Sequence, residues 1–220
     1  VKAGKGFEAK SIDSRWKLTQ RLRSAGLTEL AEEQVAAIRE LDPEAKSEPM
    51  RRVAFEAVRT EIQQPADLGK LEEFLATETY SAILFDGWNM IYSMHDRASK
   101  RTRKRDEAVL ARANARTAAV ELWKHTPEHY QARIGNMIAW GFYEASDELT
   151  DPEKAFALRV AKQAMDASEK DVNVIDTYAC CLYINGREAE AIQEVERCIK
   201  LDPENEEWKR RKAELTKTSG

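Results

Sequence analysis

Leu182 to Glu204 reads LYINGREAEAIQEVERCIKLDPE, and Leu22 to Glu44 reads LRSAGLTELAEEQVAAIRELDPE. Leu22, Gly26, Ala31, Val35, Leu41, Asp42, Pro43 and Glu44 fall in register with Leu182, Gly186, Ala191, Val195, Leu201, Asp202, Pro203 and Glu204. A skeleton shared by two otherwise dissimilar segments predicts a repeated helix-turn-helix unit.

Each matched position has a mechanical reason. A glycine followed five residues later by alanine suits a helix that ends in a left-handed residue, turns, and starts a second helix whose small side chain lets the two axes approach. Leu-Asp-Pro-Glu is then expected to stop the second helix and open the next. In that reading Asp42 or Asp202 caps free amides, the proline takes the first helical position, and the glutamate favours the positive helix start.

These residues resemble the tetratricopeptide repeat, a 34-residue unit of two antiparallel helices. In a unit from Val172 to Asn205, Ala179, Leu182, Gly186, Ala191, Val195, Cys198 and Pro203 stand where that family places small, large, turn, small, large, small and proline residues. Ile12 to Ala45 gives a second unit, with Thr19 where a small residue is usual and Ile38 where alanine is usual. A looser copy runs from about Gly135 to Ser168, with Ala139 and Trp140 on its first helix, Ala157, Ala161 and Ala164 on its second, and a longer turn from Ser146 to Pro152. Asn136 to Trp140, Asp151 to Ala155 and Ile175 to Ala179 also resemble helical tails found behind thioredoxin-like domains of bacterial proteins.

The fold expected is therefore all-α: an α-α superhelix, or tetratricopeptide-like solenoid, of about five antiparallel helix pairs with a C-terminal capping helix. The organisation expected is an extension or linker at 1–11, a helix pair at 12–45, degenerate helical repeats at 46–134, two helix pairs at 135–205, and a capping helix and tail at 206–220. Composition agrees: 220 residues with 42% hydrophobic content and only 9 Gly and 6 Pro suit a folded, loop-poor chain. A charged fraction of 34% and a mean hydropathy of -0.63 suit solvated helix surfaces. Ala54, Ala57, Val58 and Ile62, then Leu71, Phe74 and Leu75, then Leu84, Trp88, Ile91 and Tyr92 continue the helical period between the clearer repeats. Val109 to Trp123 marks a longer helix, and Pro49, Gln63 to Asp67, Arg97 to Arg105 and Thr126-Pro127 read as connectors.

Three local signals point elsewhere. Lys100 to Arg105 holds five basic residues in six, which suits either an acidic partner surface or a solvated loop. The chain as a whole is acidic and the run carries no aromatic residue to stack on bases, which argues against nucleic acid. Phe85 to Ile91 resembles the opening strand of a nuclease family whose first metal-binding residue would be Asp86. That chemistry needs several carboxylates grouped at strand ends around a divalent metal, and the alternative is a helix in which Gly87 gives a neighbour room to pass. His125 and His129 have the spacing of paired zinc ligands, but Thr126-Pro127 reads as a cap and a helix start that would split them.

No stretch approaches the roughly 20 apolar residues needed to cross a bilayer, and no signal peptide is visible, so a soluble setting is expected; the bacterial resemblance implies cytoplasm or periplasm, and the sequence does not choose between them. Beginning at Val1, the chain reads as processed or excised from a larger protein. Cys180, Cys181 and Cys198 form neither a C-x-x-C motif nor a disulfide framework and read as packing residues.

The resemblance implies a non-catalytic protein-interaction module whose first helices line a concave face that holds a partner's peptide or helix, without metal or other cofactor. The implied partner-binding residues are Asp13, Trp16, Gln20 and Arg23 in the first unit and Asn173, Asp176, Cys180 and Tyr183 in the last. Trp16 or Tyr183 would anchor a polar or amphipathic segment. Asp176 and Cys180 stand where a carboxylate clamp would need positive and amide groups, so no such clamp is implied there. The second reading is a structural spacer or self-association scaffold, and the third is the metal-dependent nuclease centred on Asp86.

Overall fold

The computed structural model describes residues 5–217, with side chains from 11 to 216. Eleven α-helices and three short 3-10 turns are formed among the described residues, with no strand. The chain divides into two compact units between Met94 and His95.

The first unit holds α1 (Lys5–Ser24), α2 (Thr28–Leu41), α3 (Glu48–Glu61), α4 (Gly69–Ala76) and the start of α5 (Ser81–Arg101). The stretch expected as an extension is already helical from Lys5; residues 1–4 lie outside the described residues. Gly26 ends α1 at φ 73°, and the Leu27 amide donates to the Leu22 carbonyl at 2.9 Å while the Gly26 amide donates to Arg23 at 3.0 Å. Those paired bonds satisfy the last free carbonyls of α1 and reverse the chain. Ala31, Val35 and Ile38 then form the buried stripe of α2 at helical spacing.

The Leu-Asp-Pro-Glu expectation needs correction. Asp42 does cap amides, accepting from Lys46 at 3.0 Å and Ser47 at 2.7 Å, but Pro43 and Glu44 form a turn and α3 starts only at Glu48. Pro49, expected as a connector, takes the first turn of α3 instead. The cause is shared, since Asp42 reaches forward and Pro49 meets the first-turn requirement.

α5 settles the Phe85 to Ile91 segment as helix. A side chain at Gly87 would meet Leu75 of α4 at 2.5 Å, so this glycine serves close helix passage, and Asp86 is ion-paired with Arg52. The strand-end geometry of the nuclease reading is not formed.

The second unit holds α6 (Arg105–Lys124), α7 (Gln131–Glu144), α8 (Asp151–Ala167), α9 (Val172–Ile184), α10 (Glu188–Leu201) and α11 (Glu206–Lys217). α7 packs with α8, α9 with α10, and α8 with α9. Pro127 does not open a helix as expected. It precedes a 3-10 turn at Glu128–Tyr130 that leads into α7. Thr150 and Glu153 form a reciprocal cap at the start of α8. Gly186 repeats Gly26, with φ 73° and bonds from Arg187 to Leu182 at 3.0 Å and from Gly186 to Tyr183 at 2.9 Å. An added side chain at either glycine meets nothing within 4 Å, so backbone conformation rather than crowding selects the residue.

α9 is covered on all sides, with every residue from Val174 to Leu182 buried. α6 is tied to the next pair by Arg112, which donates through Nε to Glu148 at 3.0 Å, and by Arg116, which donates to Glu153 at 3.0 Å. Cys180, Cys181 and Cys198 are fully buried as free thiols. Cys181 donates to the Ala139 carbonyl and Cys198 to that of Val172.

Replacing Gly186 or Gly26 by alanine is expected to lower stability in urea unfolding by about 1 kcal/mol, the cost of a left-handed residue with a Cβ; asparagine should cost less. Hydrogen bonds from Arg112, then its charge and the bonds and charge of Arg116, outweigh burial and hold the Glu148 carboxyl below its ordinary 4.5. Its stabilising contribution is therefore present above that value and lost as pH falls through the depressed folded value. Thermal unfolding should show wild type and Glu148→Gln separated at pH 7 and converging below pH 4.5. Burial pushes the Cys180 and Cys198 thiols up to about 12, so all three buried cysteines should resist iodoacetamide in the native chain and react after denaturation.

Candidate partner-binding cleft

α7 and α9, which lead successive pairs, and α11, which follows the second pair, each present two residues four apart to a shared cleft. These are Asn136 and Trp140, Asn173 and Thr177, and Glu207 and Arg211. Side chains four apart share one face of a helix. Asp176 and Trp208 complete the wall around a volume of about 200 Å³.

Arg211 is the central charge of this wall. Its Nε donates to Asp176 Oδ1 at 3.0 Å and its Nη2 to Oδ2 at 3.3 Å, a two-point pairing fixed by the planar guanidinium. The same guanidinium lies 5.9 Å from the Trp140 ring centre, and Trp140 in turn contacts Tyr143 at 5.3 Å. Burial raises the Asp176 carboxyl above its ordinary range and outweighs the opposing pull of Arg211. Burial likewise pushes the Tyr143 hydroxyl up to about 12.

The rest of the wall mixes apolar surface with hydrogen-bonding groups. Trp208 is buried, and its indole N–H donates to Asp202 at 3.1 Å in the α10–α11 connection. Asn205 donates to the same carboxylate at 3.0 Å, so Asp202 braces the entry to α11. The Asn136 amide oxygen is buried with no hydrogen-bond partner among the described residues.

Of the residues expected from sequence, Asn173 and Asp176 line the cleft. The exposure expected of Cys180 and Asp176 is corrected: they are 0% and 6% exposed, the second covered by Arg211. Tyr183 is half-buried on the same helix outside the cleft lining. Asp13 and Gln20 are exposed on α1; Trp16 packs against Ile12, Ile38 and Met50. Arg23 lies 5.8 Å from the Trp16 ring centre and pairs with Glu32 at 3.0 Å.

Trp208 and Arg211 are wall residues that the sequence reading, which gives 206–220 only as a capping helix and tail, does not single out. The available signal was the spacing of Trp208, Arg211 and Leu215 along one helical face.

The other candidate sites have ordinary settings. Lys100 pairs with Asp96 within α5 at 3.0 Å, and Lys104 with Glu107 at the start of α6 at 2.7 Å. His125 ends α6, while His129 lies in the 3-10 turn against Tyr130 at 4.2 Å. Among the described residues no three His, Cys, Asp or Glu side chains gather to hold a metal ion, and no helix is long and apolar enough to cross a membrane.

No family model matches the sequence, and no curated protein does. Among solved structures, TTC0263, a thermophilic TPR protein of Thermus thermophilus, is similar at 14% identity over 93% of this chain and 98% of that one, with a TM-score of 0.45. A MamA RS-1 ArsTM double mutant is similar at 12% identity over 77% and 83%, with a TM-score of 0.49. With the α1–α2 and α9–α10 pairs each closed by the same left-handed glycine turn and a buried alanine behind it, the described residues form an all-α fold of tetratricopeptide-like helix pairs.

Proposed function

We propose that the chain is a non-catalytic interaction module that seats a segment of a partner protein in the cleft between α7, α9 and α11. The observation that carries this reading is Trp140, half-buried beside the amide, hydroxyl and carboxylate groups of α7 and α9 at one cleft. Aromatic anchors in partly desolvated settings supply most of the free energy at protein interfaces. At about 200 Å³ the cleft is smaller than the roughly 300–1,000 Å³ typical of small-molecule sites, which favours one or two anchoring side chains from a larger partner.

The sequence likeness to helical tails of bacterial thioredoxin-like proteins supports a setting in which the module positions such a catalytic domain. Self-association is the second reading, supported by the exposed Leu18, Leu27, Leu30 and Leu41 of the first unit.

Peptides selected from a random library on the wild-type chain should bind Trp140→Ala more weakly by roughly thirtyfold, equivalent to the loss of one anchor of about 2 kcal/mol. Circular dichroism would verify that the variant keeps its helices. Unchanged affinity across the selected peptides would reject the cleft as the seat.

A further inference from the structure

α11 is held unlike the other helices of its unit. Its sequence, EEWKRRKAELTK, is strongly polar, and only Trp208 and Leu215 are buried apolar side chains, at 3% exposure each. It packs along α10 and reaches α9 and α7 through Arg211, whose guanidinium meets Asp176 and the Trp140 face. Trp208 also donates to Asp202 at the end of α10 at 3.1 Å, and a further link across α10, from Lys212 to Glu196 at 2.6 Å, is close to half exposed on both sides and adds little. α9, by contrast, buries nine residues in succession. A four-residue connection, Asp202 to Asn205, separates α11 from α10.

Without α11, the wall formed by α7 and α9 would present an aromatic face, a carboxylate and neutral hydrogen-bonding groups, but no cation. Such a wall complements a guanidinium, which can pair with a carboxylate through two bonds while stacking on an indole. In this chain that guanidinium comes from α11 itself.

We infer that α11 is an in-chain stand-in for the partner, and that a partner helix carrying tryptophan, arginine three residues later and leucine four beyond that displaces it. The spacing is that of Trp208, Arg211 and Leu215, and it puts the three side chains on one helical stripe. The inference rests on the cleft being the partner seat and adds the occupant's chemistry and its regulation. The resident helix lowers apparent affinity by the fraction of time that it keeps the seat closed.

The probe is a labelled helical peptide of twelve residues, with tryptophan, arginine and leucine at those spacings on an alanine, glutamate and lysine background. It is titrated against the 220-residue wild-type chain and against the same chain carrying Trp208→Ala/Arg211→Ala, in which the resident helix is loosened. Arg211→Ala alone serves as the milder variant if the double change disturbs folding by circular dichroism. Affinity should rise at least about tenfold in the loosened chain, fall again when Asp176→Asn is added, and disappear when the peptide arginine is alanine. Equal affinity for wild-type and loosened chains, or indifference to Asp176→Asn, would overturn the inference. A peptide-insensitive dimer of the loosened chain would also overturn it, in favour of exchange between copies. Library peptides that depend on Trp140 but do not compete with this probe would overturn the inference alone and leave the cleft reading intact.

Discussion

At Gly26 and Gly186 the backbone takes a φ of 73°, and in both places the amides of the glycine and its successor close onto the carbonyls of the helix just ended. This left-handed reversal is the constraint on which each clear helix pair depends. It lets Ala31 and Ala191 be fully buried at the start of the returning helix. The buried stripes of α2 and α10 follow from that placement, with Val35 and Ile38 in one and Val195 and Cys198 in the other. Stacked on its neighbours, α9 buries nine residues in succession, and the cleft opens along α7, α9 and α11.

The cleft joins two conflicting electrostatic demands. Asp176 is buried enough that its carboxyl is held above the ordinary range, yet it stands against Arg211 in a two-point pair. Pairing of this kind offsets much of the desolvation cost, while removal of one partner strands the other charge. The pair therefore defines where α11 sits more than it stabilises the whole unit. Asp202 fixes the same helix from its other end by accepting from Trp208 and Asn205.

Much of this is legible in the sequence, for a reason that differs residue by residue. The glycines are readable because a left-handed turn admits few alternatives, and the alanines because close axes need small side chains. Gly87 is readable as a helix-passage residue, and the helical period around it points away from the strand that Asp86 would need. The Leu-Asp-Pro-Glu stretch misleads because its aspartate reaches forward several residues before a helix begins, a distance that local propensity does not specify. The burial of Cys180 and Asp176 is hidden from the sequence because their cover comes from packing around α9 and from α11. Arg211, which stacks and pairs inward, is set apart from the neighbouring cations Lys209 and Arg210 only by its spacing from Trp208 and Leu215 on one helical face.

Amide hydrogen exchange with and without a library-selected peptide tests the central claim most directly, because it reads every helix at once. In the free protein α9 should be the most protected helix and α11 among the least, and peptide should change protection in α7, α9 and α11. Changes confined to α1, α2 or α6, or an α11 as protected as α9 in the free chain, would contradict a cleft closed by its own last helix.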